Sequence, residues 1–137
     1  MKNIVTTICI ALLFSIVFSS CQKDKNIAPP PSAGKILIKF INTTGQDINA
    51  AKSDNIEVGN IKAGNETGYI AFENFGVDTG MPDSKFIGNL NDTPLECSSQ
   101  FLFCGAEKGK LKEGQYTIAI RTITVDDISY FDLQFKR

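Results

Sequence analysis

The sequence predicts an all-β protein whose folded part, residues 35–137, is an antiparallel β-sandwich of about 7–8 strands. Three observations predict it. From Lys35 onward the apolar residues come in short runs that alternate with polar ones, the period of a half-buried strand. Gly, Asn, Asp and Thr divide those runs at turn-like spacing. No segment sustains a 3.6-residue apolar period without a Gly or β-branched interruption, so no long amphipathic helix is expected.

The N-terminal segment is of a different kind. Lys2 is the only charge before Lys23, and the apolar run from Ile4 to Phe18 is broken only by Thr6, Thr7 and Ser15. A mainly apolar span of about 15 residues behind one positive charge suits a secretory leader. A membrane-spanning helix needs about 20. Residues 1–20 are therefore expected to target the chain and to be removed, taking Cys9 with them.

The leader ends in Phe18-Ser19-Ser20-Cys21. This resembles the lipobox of bacterial lipoproteins, with Phe18 where that family prefers an aliphatic residue, and is similar to the looser form found in small outer-membrane lipoproteins of the Bacteroidota type. The resemblance implies diacylglyceryl attachment at the Cys21 thiol, cleavage before it and acylation of the new amine. Several acyl chains on one residue would hold a protein at a membrane without any protein helix, because each buried methylene contributes about 0.8 kcal/mol. Gln22 after the cysteine, where inner-membrane retention uses Asp, implies an outer-membrane address. Gln22-Lys23-Asp24-Lys25 is similar to short charged tags that export lipoproteins to the cell surface, and does not decide between a periplasmic and a surface-facing orientation.

Residues 21–34 are read as the lipidated cysteine and a tether. Pro29-Pro30-Pro31 favours extended polyproline II, at about 3.1 Å per residue. The strand pattern starts next. In Lys35–Ile41 the residues Ile36, Ile38 and Phe40 share a face, and Asn42-Thr43-Thr44-Gly45 is a turn. Ile56 and Val58 mark a second strand closed by Gly59-Asn60, and residues 62–66 turn the chain into a third over Thr67–Phe72. Asn74–Ser84 reads as an irregular loop, Lys85–Leu90 as a weak strand, and Asn91–Pro94 as a turn. Short apolar pieces follow at Leu95–Cys97 and Phe101–Cys104, then a polar loop over Glu107–Gly114. Tyr116, Ile118 and Ile120 open the strongest strand, and Phe131, Leu133 and Phe135 share a face after the Asp126-Asp127 break, so residues 116–135 predict a β-hairpin.

Leu111-Lys112-Glu113-Gly114-Gln115-Tyr116-Thr117 resembles the L-x-x-G-x-Y-T approach to a late strand in fibronectin type III, immunoglobulin-like and transthyretin-like domains. That resemblance implies a structural role for Tyr116, its ring at the sandwich corner and its hydroxyl bonded back to the loop.

The chain has no His and no Trp. Hydrolases of the Ser-His-Asp or Cys-His kind are excluded, and zinc loses its commonest ligand. No catalytic residue, metal or cofactor is assigned, and the protein is expected not to be an enzyme. A balance of 14 basic and 15 acidic residues, without clusters, gives no electrostatic case for nucleic acid. Cys97 and Cys104 are the remaining cysteines, and an oxidising envelope would favour a disulfide between them over free thiols. The clusters Asp78 with Asp83, and Asn89 with Asn91 and Asp92, lack calcium-loop spacing and read as turn residues. Asp126 and Asp127, adjacent on an extended chain, do not face a common substrate. The Asn-x-Thr triplets at Asn42, Asn65 and Asn91 also read as turns in a bacterial chain. Tyr69, Phe72, Phe75 and Met81, in or beside the loop Asn74–Ser84, are the candidate contact residues. The expected function is a lipid-anchored envelope protein that contacts another envelope protein or serves as an accessory subunit of an envelope system. An inhibitor, or a binder of a small ligand or carbohydrate, is the alternative.

Overall fold

The structure is a computed structural model that describes residues 34–100 and 109–136. Residues 1–33, which hold the expected leader, Cys21 and most of the expected tether, and Cys104 lie outside the described residues. Eleven strands are present among those described, in three sheets. The first sheet has the order β11-β10-β1-β4, made of β1 (Ile36–Asn42), β4 (Ile70–Phe72), β10 (Gly114–Val125) and β11 (Ile128–Phe135). The second has the order β3-β2-β7-β8, made of β2 (Ile48–Ser53), β3 (Ile56–Ile61), β7 (Phe86–Leu90) and β8 (Thr93–Glu96). A small third sheet joins β5 (Gly76–Asp78), β6 (Met81–Asp83) and β9 (Gly109–Lys110) in the order β6-β5-β9.

The fold is an all-β sandwich of mainly antiparallel sheets. Alternation places the core as expected: Ile36, Ile38, Phe40, Ile118, Ile120, Phe131 and Leu133 are all buried. From the second sheet come Ile48, Ala51, Ile61, Phe86 and Leu95. Phe86 spans the space between the sheets, its ring centroid 5.5 Å from Phe40 and 5.3 Å from Phe131. An isolated bridge from Cys97 to Phe131 ties the end of β8 to β11 and links the two sheets along one side.

Several features differ from the sequence reading. The sandwich contains one parallel pair, β1 with β10, in register from Ile36↔Gly114 to Asn42↔Ile120. Alternation tells which residues face inward but not which strand lies alongside. The strand β2 was not expected, because INAAKS has neither strong β-propensity nor a two-residue apolar period. Its inward residues are Ile48, Ala51 and Ser53, a spacing of three and then two. The extra residue is Ala50, held at φ +50 in a bulge that shifts register against both neighbouring strands. Its N–H donates to Asn60 Oδ1 at 2.9 Å. Opposite the bulge, Gly88 is buried, and a Cβ there would stand only 3.0 Å from Ile48 Cγ2.

The expected third strand contracts to Ile70–Phe72, and the expected loop Asn74–Ser84 contains the β5–β6 hairpin. Three hairpins turn on two residues that both have positive φ, namely Thr79-Gly80, Asn91-Asp92 and Asp126-Asp127. Such turns match the right-handed twist of the strands they join. The Asn91-Asp92 turn is tighter than expected, so Thr93 and Pro94 already belong to β8. The last hairpin overruns its neighbour, since β1 stops opposite Ile120 while β10 and β11 pair on to Val125↔Ile128.

One buried polar residue closes an end of the sandwich. Asn42 is completely buried at the end of β1. Its Nδ2 donates to the carbonyls of Gln46 at 2.7 Å and Ile61 at 2.8 Å. Its Oδ1 accepts from the N–H of Thr44 at 3.0 Å and the Thr44 hydroxyl at 2.7 Å. One side chain thus joins the turn after β1 to the end of β3. Asn42→Asp keeps the shape but loses both donors and faces two carbonyls with a carboxylate. Urea unfolding followed by circular dichroism should show a loss of about 2–4 kcal/mol, of the order expected for two unmet buried groups. Asn65→Asp, at an exposed position, should lose far less.

Candidate functional site

The residues singled out in the sequence part company in the fold. Phe72 and Phe75 are core residues, each 1 % exposed, with rings 5.3 Å apart and nearly perpendicular. They are not available to a partner, which corrects their assignment as contact residues: the aromatics nearest the loop are the ones that fix its ends to the core. Tyr69 is half-buried, with Lys39 Nζ 5.0 Å from its ring centroid. Lys39 also meets Glu66 at 2.8 Å. Met81 is 40 % exposed.

Tyr116 donates its hydroxyl to the Lys112 carbonyl at 3.1 Å, and its ring lies 6.1 Å from that of Phe135. Gly114 backs onto the same ring, where an added Cβ would be 3.5 Å from Tyr116 Cε2. Asp126 and Asp127 are both exposed at the tip of the long hairpin.

Cys97 is a free cysteine, 1 % exposed. The disulfide expected with Cys104 is therefore not formed at Cys97, and Cys104 itself is outside the described residues. The Cys97 sulfur sits 3.2 Å from Ser99 Oγ, and the Cys97 N–H donates to the Phe86 carbonyl at 2.8 Å. Burial pushes the thiol above its ordinary pKa, and the contact with Ser99 offsets this only in part.

Met81 leads to the most distinctive cavity. Asp78 and Met81 are cross-strand partners on either side of the Thr79-Gly80 turn. The hairpin and the 3-10 turn Ser98–Gln100 both pack on β11. Between them is a cavity of about 170 Å³, with Asp78, Ser98, Ser99 and Asp132 on its polar side and Met81 and Pro82 among its apolar walls. The two carboxylates differ. Asp132 Oδ2 accepts from Arg121 Nη2 at 2.8 Å and from Gln134 Nε2 at 3.2 Å. Asp78 Oδ1 is closed off from solvent and has no hydrogen-bond partner.

Backbone fit sets the close spacing of the two strands of this hairpin. Gly76, opposite Asp83, approaches so closely that an added Cβ would collide with the Asp83 carbonyl. Sequence reading named Asp78 as a turn residue and Met81 as a contact, but it missed Ser98, Ser99 and Asp132. An Asp within the apolar run Tyr130-Phe131-Asp132-Leu133 is the only sequence signal that pointed here.

A larger hollow of about 470 Å³ lies on the outer face of the second sheet, beside Lys52, Ile87 and Glu96. It is open, and its charged side chains are exposed. Among the described residues no group of three or more Cys, Asp or Glu side chains is placed to hold a metal ion.

The Cys97 environment predicts a pH dependence. A folded-state thiol with a raised pKa contributes stability that is present below the unfolded-state pKa, about 8.5, and is lost as pH rises through the folded value. Melting temperature should therefore fall on the alkaline side, and Cys97→Ala should flatten that fall. In the native protein Cys97 should resist iodoacetamide at neutral pH and react once urea unfolds the chain. Comparison with known proteins matches this chain to no family model, no curated protein and no solved structure.

Proposed function

We propose that this chain is a lipid-anchored cell-envelope protein that presents its β-sandwich to another envelope protein and performs no catalysis. The observation that carries the reading is the leader itself, one lysine and a 15-residue span from Ile4 to Phe18 that ends in Ser19-Ser20-Cys21. The composition of residues 22–34, with three consecutive prolines at 29–31, is that of a tether between an anchored cysteine and the first strand. Placement at the outer membrane rests on Gln22 after the cysteine.

The contact role draws on the distribution of surface chemistry. The folded part offers hairpins on a rigid sandwich, the usual arrangement for loops that bind. Two of the three tyrosines are engaged within the chain, Tyr69 beneath Lys39 and Tyr116 against Phe135, and tryptophan is absent, which favours a protein contact over a carbohydrate one.

Cys21→Ser tests the anchor. The wild-type protein should partition with membranes and run as the acylated, cleaved form. The serine variant should be unlipidated, migrate differently on gels and leave the membrane fraction. Membrane association and gel mobility identical to wild type would end this reading.

A further inference from the structure

We infer that the overhanging end of the β10–β11 hairpin takes up an extended segment of the partner protein as an added β-strand, one with alternating apolar residues and a lysine or arginine at its end. The inference rests on the protein-contact reading above and gives that contact a place and a chemistry. β1 ends opposite Ile120, while β10 pairs with β11 on to Val125↔Ile128. Residues 121–125 therefore have a neighbouring strand on one side only. The register says which backbone groups this leaves open. The Lys136 N–H donates to the Thr117 carbonyl at 2.8 Å, so the backbone groups of odd-numbered residues in β10 point at β11. Those of even-numbered residues point the other way, and there the Ile120 carbonyl accepts the Thr43 N–H at 2.9 Å. Thr122 and Thr124 point the same way, past the end of β1, and no strand among the described residues pairs with them. Both are exposed, so an incoming strand replaces water at their N–H and carbonyl groups.

The side chains change sides at the same place. Along β10 and β11 the face of Ile118, Ile120, Phe131 and Leu133 is buried. Beyond Ile120 that face carries Thr122, Thr124 and Ser129, while the opposite face pairs Ile123 with Tyr130 and Val125 with Ile128. Val125 is 44 % exposed and Ile128 56 %, and with Met81 they are the exposed large apolar side chains among the described residues. A strand laid along Thr122 and Thr124 sets its own apolar side chains beside Ile123 and Val125. Charge narrows the choice of strand. Residues 121–132 hold one basic and three acidic side chains, and Arg121 is paired with Asp132 at 2.8 Å. The charge left over is that of Asp126 and Asp127, both exposed at the end of the open edge, where a basic residue of the incoming segment meets them. Two other occupants fit less well. A bilayer would have to take in the two carboxylates beside the apolar pair, and the tip lies at the end of the sheet away from Gly34. A second copy paired symmetrically through this edge would run antiparallel to the first, so its tethered end would point away from the membrane that holds its mate.

The probe is an acetylated, amidated peptide of alternating valine and threonine with a lysine at each end, added to the 15N-labelled full chain purified in detergent. Hydrogen exchange at the Thr122 and Thr124 amides should slow at least tenfold as the peptide saturates the edge. A version N-methylated at every residue should give no slowing, and one ended in glutamate should bind at least tenfold more weakly. Val125→Thr with Ile128→Thr keeps β-branched side chains in the hairpin and should weaken the lysine peptide at least fivefold. Asp126→Asn with Asp127→Asn keeps residues that accept the positive φ of the turn and should erase the preference for lysine ends. Unslowed amides, equal slowing by the N-methylated peptide, or equal binding of the lysine and glutamate forms to wild type would overturn the inference. So would slowing that appears without peptide, either with rising protein concentration, which would mark a contact between copies, or with phosphatidylcholine vesicles, which would mark a lipid contact. The two readings fail separately. If wild type and the Val125→Thr, Ile128→Thr variant capture the same envelope partner equally, the contact role stands and the hairpin plays no part in it. If the peptide pairs and Cys21→Ser stays on the membrane, the hairpin site stands and the proposed anchor falls.

Discussion

The meeting of Phe40 and Phe86 across the sandwich is the contact on which the rest depends. Their rings lie 5.5 Å apart, and each is in turn part of a longer chain of rings. Phe75 meets Phe72, Phe72 meets Phe40 at 6.3 Å, and Phe86 meets Phe131 at 5.3 Å. Five phenylalanines thus run from the start of the small third sheet, through both large sheets, to the long hairpin. Three of these four pairs are edge-to-face and the Phe40–Phe86 pair is tilted; aromatic pairs add about 0.5–1.5 kcal/mol beyond the area they bury. In a chain without tryptophan, this series carries much of the load of the core. It also explains why Phe72 and Phe75 are interior: they lead the chain from β4 to the hairpin that roofs the cavity.

The legible parts of the fold were those in which local pattern and tertiary environment agree. The inward residues of β1, β10 and β11 fall at every second position, with Leu37 the buried exception on the other face of β1, and Asp126-Asp127 between two such runs marks a tight turn. The strand β2 was hidden by a single residue, because Ala50 in the left-handed region moves Ala51 inward and spoils the period. The β5–β6 hairpin was hidden by length: strands of three residues do not establish a pattern, and Thr-Gly is a quieter turn signal than Asn-Gly. The parallel pairing of β1 with β10 joins segments more than 70 residues apart, which no local window reports.

The candidate site was half legible for the same reason. Asp78 and Met81 come from one hairpin and fall in one stretch of sequence. Ser98, Ser99 and Asp132 come from two other places and acquire meaning only when β6 and the 3-10 turn settle on β11. Arg121 is a further step removed. It is the cross-strand partner of Asp132, so the long hairpin itself determines which carboxylate of the cavity is already satisfied.

The pairing of β1 has a mechanical corollary. Because β1 and β10 run in the same direction and β11 returns antiparallel, the described chain enters and leaves the first sheet at the same end, with Asp126-Asp127 at the opposite tip. Gly34 is fastened there to Glu113 Oε2 at 3.1 Å, just before the ladder begins. Under the proposed anchoring, tension from the membrane would enter along the axis of β1, which is flanked by β10 on one side and β4 on the other. The hydrogen bonds on both flanks lie across the direction of pull and would be strained together in shear, not opened one at a time like a zip. Under that proposal, the strand nearest the anchor is the one that resists being drawn out.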